Sequence, residues 1–590
     1  MKRYAADFET TTVAPARVWA WGIADTDEPE TVFTGETLDS FIEWCEYAKN
    51  PVIYFHNEKF DGSFILYYLM THGFQWRESK GKCCEKEFTT IIDNYGKFYA
   101  IEIYWSRKGH KVNKATIYDS FKIIPMSVDK AAKQFGLSIS KLEIDYDAHN
   151  EPGKPVTDDE WEYLRHDVSI MAQVLKIGFE YGLTKMTIGA CALADYKAFI
   201  GDRRFEAFFP KLPFEVDCEM RPAYKGGWCY ANPDHAGDDC GAGIVFDVNS
   251  LYPSQMAYRM LPWGIPMIYK GKYKENPKYP LYIQKLRCWF KLKPGYLPTI
   301  QLKRNALFQP TEYALDSKGE IVDMCLCSCD LELFLKHYDV KFIEWCGGWM
   351  FHGRSDMFTA WIEKWANRKA EADKNGNKAL RQICKLFMNN LYGKFSTNPV
   401  RKSKYPEYDA ESDCVCYKPI RRVCTDEKGK VQKDENGKEM TTDFEIVDAV
   451  YLPVGAFITA WARYTTISAA QAIHEKSLKE TGVSRFCYSD TDSIHLLGTE
   501  LPDNIDIDPY RLGAWKHEST FSRARFVQAK RYIEEIDGKL QVTCAGMPAN
   551  CHAFVTWENF KNGTQYPGKL VPKTVPGGTI LVETTYTMTG

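Results

Sequence analysis

The sequence predicts an α+β protein divided into several domains, and three observations carry that prediction. At 590 residues the chain exceeds what one hydrophobic core serves. Short apolar runs ending in acidic residues recur from the first ten residues to beyond position 490, as strands delivering carboxylates would. Between them, Asn377 to Lys394 reads as one strongly amphipathic helix. Hydrophobic residues make up 45% of the chain, enough to fill more than one core.

The first run, Tyr4 to Thr12, carries Asp7-Phe8-Glu9 and precedes a second strand-like run, Val18 to Ile23. Residues i and i+2 of a strand share a face, so Asp7 and Glu9 can chelate together, although surface strands often supply the same pair. The buried-looking run Val52 to Phe55 leads into His56-Asn57-Glu58-Lys59-Phe60-Asp61. In Tyr163-Leu-Arg-His-Asp167, Tyr163 and Asp167 lie one helical turn apart and face together. Asp7, Glu9, Asp61 and Asp167 can thus form a two-metal site with a phenol beside it.

Ile244-Val-Phe-Asp247 is a strand with an acid at its end, and a turn is expected to close at Pro253. An Asp capping a helix would have the same look. On the 377–394 helix, Lys378, Arg381, Lys385, Asn389 and Tyr392 form one stripe; Leu380, Ile383, Cys384, Phe387 and Leu391 form the opposite face. No acid interrupts the stripe, since Glu371 and Asp373 precede the Asn375-Gly-Asn377 break. A one-signed stripe suits an anion such as a triphosphate, and an ordinary basic surface helix shares it. Tyr488-Ser-Asp490-Thr-Asp492-Ser493 reads as a hairpin tip with two acids that repel unless a cation separates them. An exposed acidic turn is its plain alternative. With Asp247 alongside, these acids could hold two divalent ions, Mg²⁺ or Mn²⁺, which suit hard oxygen ligands.

The net charge of −3 argues against a nonspecific polyanion binder acting through bulk charge. Positive charge has to be local, as between Lys516 and Arg531, where Lys516, Arg523, Arg525, Lys530 and Arg531 meet only Glu518. The 19 cysteines include no Cys-x-x-Cys pair. Cys325-Leu-Cys327-Ser-Cys329 and Cys414-Val-Cys416 alternate like strands of small apolar residues, and free thiols in a reducing cytoplasm are expected. No signal core and no run of transmembrane length is seen.

Asp247-x-x-Ser-Leu-Tyr-Pro, Lys385-x-x-x-Asn389-x-x-Tyr392-Gly and Tyr488-x-Asp490-Thr-Asp492-Ser resemble, in that order, the motif set of the family B DNA polymerases. Tyr224-Lys-Gly226-Gly227, Phe457-Ile-Thr459-Ala-Trp-Ala-Arg463 and Lys530-Arg-Tyr532 narrow the resemblance to the protein-primed phage enzymes. It runs from Ala6 nearly to the end, Val575-Pro-Gly-Gly578 included.

That resemblance implies a right-hand polymerase domain (palm, fingers, thumb, with two insertions in the palm) and a ribonuclease-H-like 3′-5′ exonuclease domain. It implies Asp247 and Asp492 as metal ligands with Asp490 beside them, and two ions per site. Arg381 and Lys385 would bind the triphosphate, Tyr252 would lie under the deoxyribose, and Asn389 and Tyr392 would line the nascent pair. Lys530 and Tyr532 would grip the primer; Tyr224, Gly226, Gly227, Thr459 and Arg463 would contact DNA. In the exonuclease, Asp7, Glu9, Asp61 and Asp167 would hold the ions and Tyr163 would position water. Lys141, in a motif of this narrower group and expected before a strand, would sit near them, and Asn57, Phe60 and Phe64 would hold the frayed 3′ end.

The implied divisions are residues 1–188 (exonuclease), 189–260 and 450–530 (palm), 261–357 (first insertion, facing a priming protein), 358–395 (fingers), 396–449 (second insertion) and 531–590 (thumb). Asp426-Glu-Lys-Gly429-Lys and Asp434-Glu-Asn436-Gly437-Lys read as turns in a lengthened second insertion that would help close a ring around DNA. The expected partners are template, primer, dNTPs and a terminal protein, with the chain a monomer in the cytoplasm of an infected bacterium. Two alternatives stand: a polymerase using nucleic-acid primers only, and a DNA-binding exonuclease whose polymerase site has decayed.

Overall fold

The computed structural model describes residues 2–78, 81, 83–108, 111–301, 313–424, 431–435 and 437–589. The α+β, multidomain organisation is observed, with separate sheets for the two sets of acids. A ten-stranded mixed sheet dominates the N-terminal part. Its centre is Val52–Phe55, parallel to both Arg3–Thr10 and Lys111–Asp119, and Val18–Asp25 pairs antiparallel with the first strand. Helix Asp158–Glu180 packs on this sheet, and a reciprocal cap between Thr157 and Glu160 fixes its start. No strand follows Lys141: residues 141–145 carry no regular structure, contrary to expectation.

The second sheet is antiparallel, in the order Trp515–Phe521, Gly243–Val248, Ser493–Leu497, Phe486–Asp490 and Cys229–Ala231. The 30-residue helix Leu452–Thr481 contributes buried side chains along its length and stops at Gly482, φ 74°. Helices Thr359–Lys374 and Lys378–Phe395 form an antiparallel pair, the second capped by Asn377 accepting from the Leu380 N–H. No turn closes at Pro253. It lies in the first turn of helix Leu251–Tyr258, where a missing N–H costs little.

Residues 261–357 contain a four-stranded sheet (Leu261–Tyr269, Tyr338–Arg354, Leu281–Leu292, Val322–Cys327) and helix Ser328–His337. The cysteine alternation holds only to Cys327: Cys329 is buried on that helix rather than on a strand. Hairpin Ser403–Asp409/Cys414–Pro419 does not stand alone, because Ser403 pairs with Asp93 and extends the N-terminal sheet. Asp426 to Lys430 and Asn436 lie outside the described residues; around Gly437, the Gly437 N–H donates to the Asp434 carbonyl and Lys433 pairs with Glu439.

A division at 530/531 cuts a hairpin, since Arg523–Gln528 and Arg531–Ile536 pair within one four-stranded sheet. The long hairpin Gln565–Val575/Gly578–Thr587 returns to the N-terminal part, where the Ala16 N–H donates to the Pro576 carbonyl at 2.7 Å. Among the described residues no helix is long and apolar enough to cross a membrane.

Candidate active sites

Asp247 sits on an inner strand, opposite Ser493 on one side and Lys516 on the other. The hairpin turn is held against that strand end, the Val248 N–H donating to the Asp492 carbonyl at 2.8 Å. Within the turn, Thr491 takes φ 67°; its N–H donates to the Trp228 carbonyl and the Asp492 N–H to the Asp490 carbonyl, both at 2.8 Å. The loop Tyr224-Lys-Gly226-Gly227 receives the turn. A Cβ on Gly227 would fall 2.5 Å from Thr491 Cγ2, so glycine is what permits the approach.

Burial, then the Asp492 charge, pushes the Asp247 carboxyl up to about 7. Burial also raises Asp492, against the pull of Lys530 and Lys385. Two neighbouring carboxyls whose proton affinity is raised by burial and mutual repulsion are relieved by a hard cation. Asp490 is already engaged: Lys530 Nζ lies 2.7 Å from its Oδ1 and the Cys229 thiol donates to it at 3.1 Å. The Lys530 N–H also donates to the Tyr488 hydroxyl at 2.7 Å, and Tyr532 packs 4.8 Å from that ring.

Lys385 faces this centre from the 378–395 helix, near enough to bear on Asp492. Tyr252 and Tyr392 stack at 4.3 Å and 26°, making an aromatic floor near Asp492; Asn389 is half-buried one turn before Tyr392. The cationic stripe is not free of acid. The break at 375–377 folds the helices together, and Asp373 pairs with Arg381 at 2.5 Å. The same fold brings in Lys369, which the sequence reading missed; burial, then Arg381, lowers its ammonium. Its only sequence signal was that break, which turns two helices face to face.

Three further expectations need correction. Thr459 is 1% and Arg463 4% exposed, so neither reaches a DNA backbone in this conformation. Arg463 forms a bidentate pair with buried Asp330 and donates to the Lys225 and Gly226 carbonyls at 2.7 Å, so it supports the loop beside the Asp490–Asp492 turn. The run Lys516 to Arg531 is largely neutralised: Arg523 and Arg525 share Asp239, Lys516 meets Glu518 and Lys530 meets Asp490. Phe64, expected to hold a strand end, is 1% exposed and packs against Gly578 of the C-terminal hairpin.

The N-terminal acids also gather. Asp7 and Glu9 come from the first strand, Asp61 from the first turn of helix Asp61–Thr71, and Asp167 from the 158–180 helix. Burial, then Asp167, pushes Asp7 up to about 7. Burial and the Asp7 charge raise Glu9 and Asp61 well above the carboxylate range. Lys141 Nζ lies 2.5 Å from Asp167 Oδ2 and 5.1 Å from the centroid of the Tyr163 ring. Burial works against the Lys141 charge, yet Asp167 raises it overall. Among the described residues Asp167 Oδ1 is buried and accepts no hydrogen bond, an open oxygen of the kind a divalent ion takes. Tyr163 is buried with its hydroxyl 3.1 Å from that of Tyr146. Asn57, at φ 74°, is exposed, its N–H donates to Asp119 at 3.0 Å, and its carbonyl accepts from the N–H of half-buried Phe60 at 3.1 Å.

A family model described as DNA polymerase type B, organellar and viral, matches residues 46–159 and 150–508. The DNA polymerase of Bacillus phage phi29 is 40% identical over 608 residues, spanning 100% of this chain and 99% of the relative. That of Streptococcus phage Cp-1 is 33% identical over 613 residues, spanning 99% and 98%. The solved structure of phi29 DNA polymerase complexed with primer-template DNA and incoming nucleotide substrates matches with a TM-score of 0.89 at 39% identity, over 100% of both chains.

Proposed function

The chain belongs to the family B DNA polymerases, and from that premise we propose that it is a protein-primed replicative enzyme with a 3′-5′ proofreading exonuclease in the same chain. The observation that carries this reading is the presence of two separate carboxylate centres, each with its own substrate-facing side chains. Mg²⁺ or Mn²⁺, two ions per centre, would activate the attacking oxygen and stabilise the leaving one. In the right-hand part, Asp247 and Asp492 hold the ions, and Lys385, Arg381 and Lys369 meet the triphosphate. Tyr252 lies under the sugar and excludes a 2′-OH. Lys530 orients Asp490 and, with Tyr532, faces the primer. In the ribonuclease-H-like part, Asp7, Glu9, Asp61 and Asp167 hold the ions. Tyr163 positions water, Lys141 orients Asp167, and Asn57 and Phe60 hold unpaired bases, where stacking is tolerant of sequence.

The proposed partners are template, primer and dNTPs, in keeping with the complexes formed by the phi29 enzyme, together with a terminal protein meeting residues 261–357. The proposed setting is the cytoplasm of an infected bacterium, with the enzyme a monomer. Protein priming is tested by offering candidate terminal proteins with labelled dATP: a covalent protein–nucleotide adduct is expected. No adduct with any candidate, alongside normal extension of DNA primers, favours the ordinary-primer alternative.

Strand displacement is assigned to the second insertion, which is braced on the N-terminal sheet by the Ser403 pairing. Deleting Lys418 to Asp443 is expected to shorten products on a primed circle while single-nucleotide addition persists; unchanged product length contradicts the assignment.

Asp7 and Asp247 keep their protons up to about 7 in the fold but release them near 3.8 in an unfolded chain. The folded state then binds more protons between those values, so the metal-free protein loses stability as pH rises through them. Mg²⁺ displaces those protons and is expected to raise the melting temperature more at about pH 8 than at about pH 5. Equal shifts in a thermal melt at both pH values would count against this arrangement.

A further inference from the structure

A ring nitrogen of His235, Cys240 Sγ and Cys487 Sγ lie within 4.8 Å of one another. Among the described residues no other three His, Cys or acidic side chains bring their ligand atoms so close. All three are buried, at 9%, 7% and 0% exposure. They come from three places: a turn after Asn232, the short strand Asp239–Cys240 that precedes the Asp247 strand, and the Phe486–Asp490 strand. The turn is pinned to the Cys487 strand, with the Asn232 N–H donating to the Cys487 carbonyl at 2.8 Å and the Asn232 side-chain amide to the Phe486 carbonyl at 2.8 Å.

A buried histidine flanked by two small apolar cysteines is the plain reading of such a cluster. Two details go against it. His235 Nε2 lies 2.7 Å from the Ser484 carbonyl, a contact that places the proton on Nε2 and leaves the Nδ1 lone pair without a protein partner among the described residues. Metal-ligating histidines are oriented by this kind of backbone contact. The two sulfurs reach carbonyl oxygens only at long range, Cys240 to Asp238 at 3.9 Å and Cys487 to Arg485 at 3.7 Å. Beyond a hydrogen bond from one sulfur to the other, neither thiol has a closer partner among the described residues.

We propose that His235, Cys240 and Cys487 form a soft-ligand site for one Zn²⁺-class ion, separate from the two carboxylate centres, that ties together the segments carrying Asp247 and Asp490. Two thiols and an imidazole suit tetrahedral Zn²⁺ with water as the fourth ligand, at Zn–S distances of about 2.3 Å. Mg²⁺ and Mn²⁺ prefer oxygen and do not compete well for thiolates. On binding, two S–H bonds break and their protons leave to solvent while two metal–sulfur bonds and one metal–nitrogen bond form, with no change of oxidation state.

The test is a Co²⁺ titration of the full-length, chelator-stripped, reduced protein in excess Mg²⁺. Thiolate-to-cobalt absorption is expected to saturate at one equivalent and to be displaced by Zn²⁺. It should vanish in Cys240→Ser and Cys487→Ser and persist in Cys416→Ser. Because a serine variant can fail to fold, alkylation of the wild-type protein is mapped in parallel: Zn²⁺ should protect Cys240 and Cys487 at least tenfold. Absence of the absorption, its persistence in both serine variants, or a Cys240–Cys487 disulfide formed without bound ion in the purified protein would each overturn the proposal.

Discussion

Asp492→Ala is expected to lower primer extension on the order of 10³-fold or more, while degradation of the same primer proceeds at the wild-type rate. Asp492 is the second-largest cause of the raised Asp247 carboxyl, after burial. Removing it relieves like-charge repulsion, so the metal-free variant should melt no lower than wild type. Lost extension therefore cannot be put down to unfolding. The backbone contacts that hold the turn, from Val248 to the Asp492 carbonyl and from Thr491 to Trp228, do not depend on the side chain. Extension rate, exonuclease rate and melting temperature measured on one preparation check this. Extension within tenfold of wild type would remove Asp492 from the chemistry.

Asp330→Ala is expected to cost about 3–5 kcal/mol, because it strands the Arg463 guanidinium in the interior. Arg463 and Asp330 are 4% and 5% exposed, and their fork-to-fork contact leaves Arg463 one nitrogen for the carbonyls of Lys225 and Gly226. Those carbonyls belong to the loop whose Gly227 touches Thr491, so the variant should lose extension along with stability. Arg463→Lys keeps the charge but not the fork, and should fall between wild type and the alanine variant. The measurement is the lowest-lying thermal transition, with the salt dependence of DNA binding recorded beside it. A phosphate-contacting Arg463 would instead leave stability intact in an alanine variant and reduce the slope of log K against log salt by about 0.9.

Both acid-bearing strands, the Asp490 hairpin and the 378–395 helix were legible in the sequence because each rests on a short-range period: alternation for strands, a turn-by-turn stripe for the helix. The order of the motifs carried the family. What was not legible depends on contacts between distant segments. Arg381 looks unpaired until the 375–377 break folds Asp373 onto it, and Lys369 enters by the same fold. Arg463 sits in a motif expected to touch DNA, and only the position of Asp330, 133 residues away, shows that its charge is spent inside. Phe64 reads as a base-stacking ring until Gly578 of the C-terminal hairpin closes over it. The second insertion reads in sequence only as two turns, yet its strand Ser403–Asp409 extends the N-terminal sheet. His235, Cys240 and Cys487 have no motif spacing at all; the fold alone assembles them.

The proposed enzyme carries, in one chain, two independent centres acting on the same primer end. The most direct measurement follows a labelled primer-template and labelled dNTP with Mg²⁺, at a nucleotide concentration that keeps primer length steady. Wild type is expected to convert dNTP to dNMP continuously, Asp492→Ala to shorten the primer without consuming dNTP, and Asp7→Ala to extend it without releasing dNMP. If Asp492→Ala also loses degradation, or if wild type shortens the primer but never consumes dNTP, the two-centre account is contradicted.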